Sequence, residues 1–137
     1  MKSNQFRIFV VDDDHVIAST IADILRLNGF EVAWFTKSRD ALAAASSDCP
    51  DLVLCEIGIP DFSGIELAIQ LKDLDLDCDI LFLTRHPHYI DLLDQAEDRG
   101  HHFQVLEKPI SPRTLIAEIQ DRDREISHRR RALPLQI

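Results

Sequence analysis

Three aspartates, Asp12, Asp13 and Asp14, stand in a row directly after the apolar run Ile8-Phe9-Val10-Val11. Three more chemically able residues follow later apolar runs: Glu56 after Leu52-Val53-Leu54-Cys55, Thr84 after Ile80-Leu81-Phe82-Leu83, and Lys108 shortly after Phe103–Leu106. If those runs are neighbouring strands of one sheet, several acids, a hydroxyl and an ammonium converge on one crevice. Clustered carboxylates repel and raise one another's pKa unless a cation is supplied. Hard oxygen ligands suit Mg²⁺, and Lys108 is a second cation on a flexible stem. Thr84 could donate to a phosphoryl oxygen. Acids, Mg²⁺, hydroxyl and ammonium together describe a phosphoryl-transfer site, where positioning and charge neutralisation dominate. Each residue also has a plainer role: Asp14 as a helix cap, Thr84 as a strand-end residue, Lys108 before Pro109 as a surface lysine. Their joint order and spacing carries the chemistry.

The elements that must position these residues are legible in the same pattern. The apolar runs are Phe6–Val11, Glu31–Phe35, Asp51–Cys55, Asp79–Leu83 and Phe103–Leu106. Three of them are continuous rather than alternating, as in strands covered on both faces of a parallel sheet. Helical stretches lie between. Asp14 caps one carrying Ile17, Ile21, Ile24 and Leu25 on a stripe, ended by Gly29. Ser38 starts an Ala-rich helix over 39–47, and Ser63 with Glu66 forms a capping box for a helix to about Asp73. Pro87 suits the first position of a helix over Tyr89–Asp98, closed by Gly100. Ser111-Pro112 opens the last helix, with Leu115, Ile116 and Ile119 buried. Five β-α repeats with right-handed crossovers give an α/β fold, a doubly wound parallel sheet with helices on both faces. Ligands in such sheets bind beyond the C-terminal strand ends, where these polar residues fall.

Composition narrows the class. The 137 residues are 45% apolar and 28% charged, with a formal charge of −9. That suits one domain with a single core and excludes a disordered tail or a disulfide scaffold. Cys49, Cys55 and Cys78 read as reduced, mostly buried thiols of a cytosolic protein. No apolar run approaches the roughly 20 residues of a membrane span. Met1–Val11 does not read as a signal peptide, so the expectation is a soluble cytoplasmic protein. Residues 1–120 carry net −11, a poor match to nucleic acid, and residues 121–137 carry net +2. The division expected is a domain over 1–120 followed by 121–137 as an extension of the last helix and a basic tail or linker. Glu118–Arg122 and Glu125–Arg129 are spaced as i,i+4 pairs along that extension, which reads equally as a signalling stalk or a frayed end.

On these residues the chain resembles the receiver domain of two-component response regulators, the CheY-like family. The matching pieces are Ile8-Phe9-Val10-Val11-Asp12-Asp13, Asp51-Leu52-Val53-Leu54, Ile59-Pro60-Asp61-Phe62-Ser63-Gly64, Phe82-Leu83-Thr84 and Lys108-Pro109, over about residues 6–120. The resemblance implies a flavodoxin-like (βα)5 fold with a five-stranded sheet of order 2-1-3-4-5 in three α/β/α layers. It implies that Asp12 and Asp13, with the Gly58 backbone, form the acidic metal pocket, that Thr84 senses a phosphoryl group, and that Lys108 pairs with the acid after the third strand. The stretch Ala96–Pro109, with one residue more than usual before Lys108, looks most like receivers joined to cyclic-di-GMP phosphodiesterase (EAL) domains.

The chain departs from the family at three points. Glu56 stands at the phosphoacceptor aspartate's position, and its extra methylene shifts the carboxylate by about 1.5 Å, where near-attack geometry is sensitive to about 1 Å. Arg85 replaces the usual small residue after the threonine and could gate the pocket or pair with Glu56. Val105 occupies the aromatic switch position three before the lysine, with Phe103 able to substitute only through a bulge. Together these read as a receiver freed from phosphorylation. Glu56 either mimics phospho-aspartate or ion-pairs with Lys108 as a fixed scaffold; the second is favoured, since a phosphoryl group brings more charge and more acceptor oxygens. Three carboxylates leave Mg²⁺ binding open, with affinity lowered if Glu56 turns toward Lys108 or Arg85. The expected role is a non-enzymatic one: contacts with an output domain, a sensor kinase or a second copy through the face of the fourth helix, fifth strand and fifth helix, drawn from His88–Arg99 and Ser111–Arg124. Two alternatives stand beside it. One is a receiver phosphorylated on another acid. The other is a Mg²⁺-dependent haloacid-dehalogenase-type phosphatase with Asp12 as nucleophile and Asp14 as acid/base.

Overall fold

A computed structural model describes residues 5–84 and 89–132 of the chain. Arg85, Pro87, His88 and Pro134 lie outside the described residues. The element order is β1 (Arg7–Val11), α1 (His15–Leu27), β2 (Glu31–Phe35), α2 (Ser38–Ser47), β3 (Leu52–Cys55), α3 (Gly64–Asp73), β4 (Asp79–Thr84), α4 (Ile90–Asp98), β5 (Gln104–Glu107) and α5 (Pro112–Ala132). All strand pairs are parallel, in the order β2-β1-β3-β4-β5, so the flavodoxin-like α/β fold implied by the sequence is the fold adopted.

Alternating strand side chains feed two apolar layers. Phe9, Val11, Val53, Cys55, Ile80 and Phe82 point to one face, where Ala41, Ala45, Leu67, Leu71 and Ala96 of α2, α3 and α4 meet them. Ile8, Val10, Leu52, Leu54, Leu81 and Leu83 point to the other, against Ala18, Ala22 and Leu25 of α1 and Leu115, Ile119 and Ile126 of α5. The central strands β1, β3 and β4 are thus buried on both sides, which is why they read as unbroken apolar runs. Order reverses between β1 and β3, and the crevice that ligands use in such sheets opens there.

Local chemistry fixes the helix ends. Asp14 accepts from Val16 N–H at 3.0 Å and Ile17 N–H at 3.3 Å, starting α1 as expected, and Gly29 (φ +89°) lets the chain turn after it. Ser63 Oγ accepts from Glu66 N–H at 3.1 Å to start α3. Gly64 follows because a Cβ there would collide with the Glu56 carbonyl oxygen. In α1 the innermost residues are Ala18 and Ala22, and Ile17, Ile21 and Ile24 lie half-buried beside them. Of the stripe expected there, Leu25 is fully buried and the three isoleucines lie at the rim of the core, beside the fully buried Ala18 and Ala22.

The last helix runs unbroken across residue 120, and its far half packs on the sheet's lower end. Ile126 is buried, Arg122 pairs with Asp79 and with Gln104, and Arg130 reaches Asp51. Arg122 therefore turns inward rather than along the helix toward Glu118. Asp79 at the start of β4 offers a less solvated partner than an exposed glutamate would.

Candidate functional site

The ends of three strands, β1, β3 and β5, build one pocket. Asp12 and Asp13 leave β1, and Asp12 N–H donates to the Phe35 carbonyl of the neighbouring β2 at 3.0 Å. Glu56 leaves β3, its N–H bonded to the Val11 carbonyl at 2.9 Å, which holds it level with Asp12 across the β1–β3 crevice. Lys108 leaves β5, and its N–H donates to the Thr84 carbonyl at 2.8 Å. The Lys108–Pro109 bond is cis. The cavity so formed is about 210 Å³, lined by Asp12, Asp13, Asp14, Ile17, Glu56, Gly58, Tyr89 and Lys108.

Inside it, Lys108 holds the acids together. Its Nζ donates to Asp12 Oδ2 at 2.8 Å and to Glu56 Oε1 at 3.5 Å, with all three side chains nearly buried. Glu56 Oε2 folds back to accept from Ile57 N–H at 2.7 Å, and Asp12 Oδ1 accepts from Asp14 N–H at 3.0 Å. Both buried carboxylates are therefore engaged on each oxygen. Asp13 is more open. Partial burial and then the Asp12 carboxylate beside it push its pKa above the usual carboxylate value. Among the described residues, four carboxylates thus line the pocket beside one ammonium.

Among the described residues, no group of three His, Cys, Asp or Glu side chains is placed to share a metal ion. Lys108 takes the central cationic place, bonded to one oxygen each of Asp12 and Glu56, while the Asp13 carboxylate stands open beside them. With the Gly58 backbone, these carboxylates are the groups from which a Mg²⁺ site would be drawn.

A family model described as the response regulator receiver domain matches residues 8–120. The chain belongs to that family. This receiver is 33% identical over 113 residues to the transcriptional regulatory protein CreB of Escherichia coli K12, covering 82% of this chain and 48% of that one. It is 32% identical over 122 residues to the DNA-binding response regulator MtrA of Mycobacterium tuberculosis H37Rv, covering 89% and 52%. The chain thus spans about half the length of these curated relatives. Among solved structures it is similar to a CheY-like receiver domain protein from Methanospirillum hungatei, with a TM-score of 0.79 at 25% identity, covering 91% of this chain and 99% of that one. A receiver domain protein from Clostridium thermocellum gives 0.77 at 25% identity, with 88% and 96% covered.

The receiver's other expected site residues are spread more widely. Gly58 lines the pocket. Thr84 is buried at the end of β4 and holds Lys108 through its carbonyl, but is not among the lining residues. Val105 lies opposite Phe82 in β5 and packs into the apolar layer. Phe103 precedes β5 with its ring edge-on to Phe82 at 5.3 Å, so neither residue brings an aromatic ring to the acids. The ring that does reach them is Tyr89, just before α4. Its hydroxyl lies against Gly58, where any Cβ would overlap it. Sequence reasoning missed Tyr89, though the chain's single tyrosine beside a strand end was a usable signal. Asp61 does not reach the crevice. It accepts from Ser38 N–H at 3.1 Å and Arg39 N–H at 2.9 Å, capping α2 from the β3–α3 loop.

Proposed function

We propose that this receiver acts in two-component signalling through protein contacts, without phosphorylation of its pocket, because Glu56 stands where the family carries its acceptor aspartate. The observation that carries this is the state of the Glu56 carboxylate. One oxygen faces Lys108 and the other accepts from the adjacent Ile57 N–H, so neither is presented for in-line attack. The longer side chain displaces the reacting oxygen by about one bond length, enough to forfeit near-attack geometry. Lys108 meanwhile supplies part of the pocket's neutralising charge, pairing with Asp12 and Glu56. Asp14 is engaged as the cap of α1, which argues against its use as a catalytic acid.

The contact surface is the α4–β5–α5 face. There Leu92 is exposed, β5 is only half-buried, α4 exposes the acids Asp91, Asp94, Glu97 and Asp98, and α5 exposes Arg113 and Arg124. A sensor kinase, a second copy or an output domain could use it. The names of CreB and MtrA favour a linked transcriptional, DNA-binding output, with the receiver itself too acidic to bind DNA directly.

The test is exposure of the parent chain and Glu56→Asp to acetyl phosphate with Mg²⁺, read by intact mass. The parent gains nothing, and the variant gains one phosphoryl group, about 80 Da. A phosphoryl adduct on the parent at Glu56 or any other carboxylate overturns the reading. If neither chain reacts, the pocket is disabled by more than its acceptor, and loss of the acceptor is not the cause.

A further inference from the structure

Two thiols meet at the end of the sheet opposite the acidic pocket. Cys49 lies in the α2–β3 loop, before Pro50, and Cys78 is the residue before β4. The chain segments leading into β3 and β4 are stitched side by side: Leu52 pairs with Asp79 at the start of the β3–β4 ladder, and Asp79 N–H donates to the Asp51 carbonyl at 2.9 Å. Both side chains pack into the same apolar layer, Cys78 within it and Cys49 against it, where each thiol acts on the other and Cys49 Sγ donates to the Pro50 carbonyl at 3.4 Å. Cys78 is buried behind, whereas Cys49 is half-buried and opens toward solvent. The third thiol, Cys55, lies at the other end of β3, where its Sγ donates to the Glu56 carbonyl at 3.1 Å.

We propose that Cys49 and Cys78 form a dithiol modification site, which a two-electron oxidant of the peroxide class closes to an intramolecular disulfide. The Cys49 thiolate attacks one oxygen of hydrogen peroxide and the O–O bond breaks. A sulfenic acid forms, and the departing hydroxide takes up the proton that Cys49 lost. The Cys78 sulfur then attacks the Cys49 sulfur. The S–S bond forms as the S–O bond breaks, and a second water leaves with the Cys78 proton. Two thiols and one peroxide thus give one disulfide and two waters. The solvent-facing thiol is the one attacked by oxidant, and the buried one resolves it.

The surroundings set the speed. Burial raises both thiols, Cys78 to about 12. Around Cys49, the contact with Cys78 and nearby Arg7 oppose the rise while Asp77 and Asp51 add to it; around Cys78, Cys49 and Asp77 add to it and Lys72 opposes it. Little thiolate exists at neutral pH, so closure is slow and accelerates as pH rises. A thiol of high pKa is also a poor leaving group, so the disulfide reopens slowly.

The experiment treats the full reduced chain with hydrogen peroxide under native conditions. It then counts free thiols by maleimide mass-tagging after denaturation. The parent and Cys55→Ser should each become lighter by two hydrogens, remain monomeric, and yield tryptic peptide 40–72 joined to 73–85. Cys49→Ser and Cys78→Ser, with folding verified by circular dichroism, should form no internal disulfide. The proposal is overturned if the parent keeps all three thiols, or if its bridge contains Cys55. It is equally overturned if only disulfide-linked dimers form, or if Cys49 proceeds to sulfinic acid without bridging.

Discussion

Lys108 is 10% exposed and faces two nearly buried carboxylates, Asp12 and Glu56. Removing one member of a buried ion pair leaves uncompensated charge, which costs about 3–5 kcal/mol. Lys108→Met should lower unfolding stability by that order at pH 7, measured by urea denaturation. Adding Glu56→Gln should recover part of the loss, because one of the two stranded charges disappears. Coupling of this kind is expected where residues share a network. If the double variant is as unstable as the sum of its parts, Lys108 and Glu56 do not interact. Asp12, Asp13, Glu56, Gly58 and Lys108 line one cavity, a meeting legible in the sequence because each immediately follows, or lies just beyond, a strand. The sequence could not place Tyr89, whose reach depends on where α4 begins relative to Gly58.

At the scale of the elements, caps come from unexpected places. α2 has no cap from its own first residue; Asp61 reaches across from the β3–α3 loop to two of its N–H groups. Burial of that carboxyl works against ionisation, but the Arg39 and Ser38 N–H groups outweigh it and hold the pKa below the ordinary value of 3.8. The folded state therefore binds protons less readily than the unfolded one. The cap's contribution is complete above the unfolded value and is lost as pH falls through the folded value. Asp61→Ala should cost about 1 kcal/mol at pH 7, with the difference from the parent shrinking below about pH 4, followed by thermal melts across pH. A constant difference at all pH values would mean the carboxylate charge is not what caps the helix. All five strands and five helices were legible as periodicity and punctuation. The burial of Ala18 and Ala22 was not, since they carry almost no hydrophobic signal although both are fully buried in the layer between α1 and the sheet. The inward turn of Arg122 was equally hidden, because its partner Asp79 is distant in sequence.

For the whole molecule, α5 is the longest element, at 21 residues, and touches both ends of the sheet. It starts just beyond Lys108 and Pro109, with Ser111 Oγ accepting from Thr114 N–H at 3.1 Å. Its far half is held by Ile126, Arg122 and Arg130. Ile126→Ala should destabilise the chain by about 2–4 kcal/mol in urea unfolding, the usual cost for a buried isoleucine. A cost near zero would show that the helix past residue 120 is detached in solution. A rod gripped at two points cannot pivot freely at either. Any rearrangement that pulls Lys108 from the acids must slide or tilt the whole rod, straining the arginine anchors about 20 Å away along its axis. The pocket and the opposite rim of the sheet are in this way mechanically geared to each other.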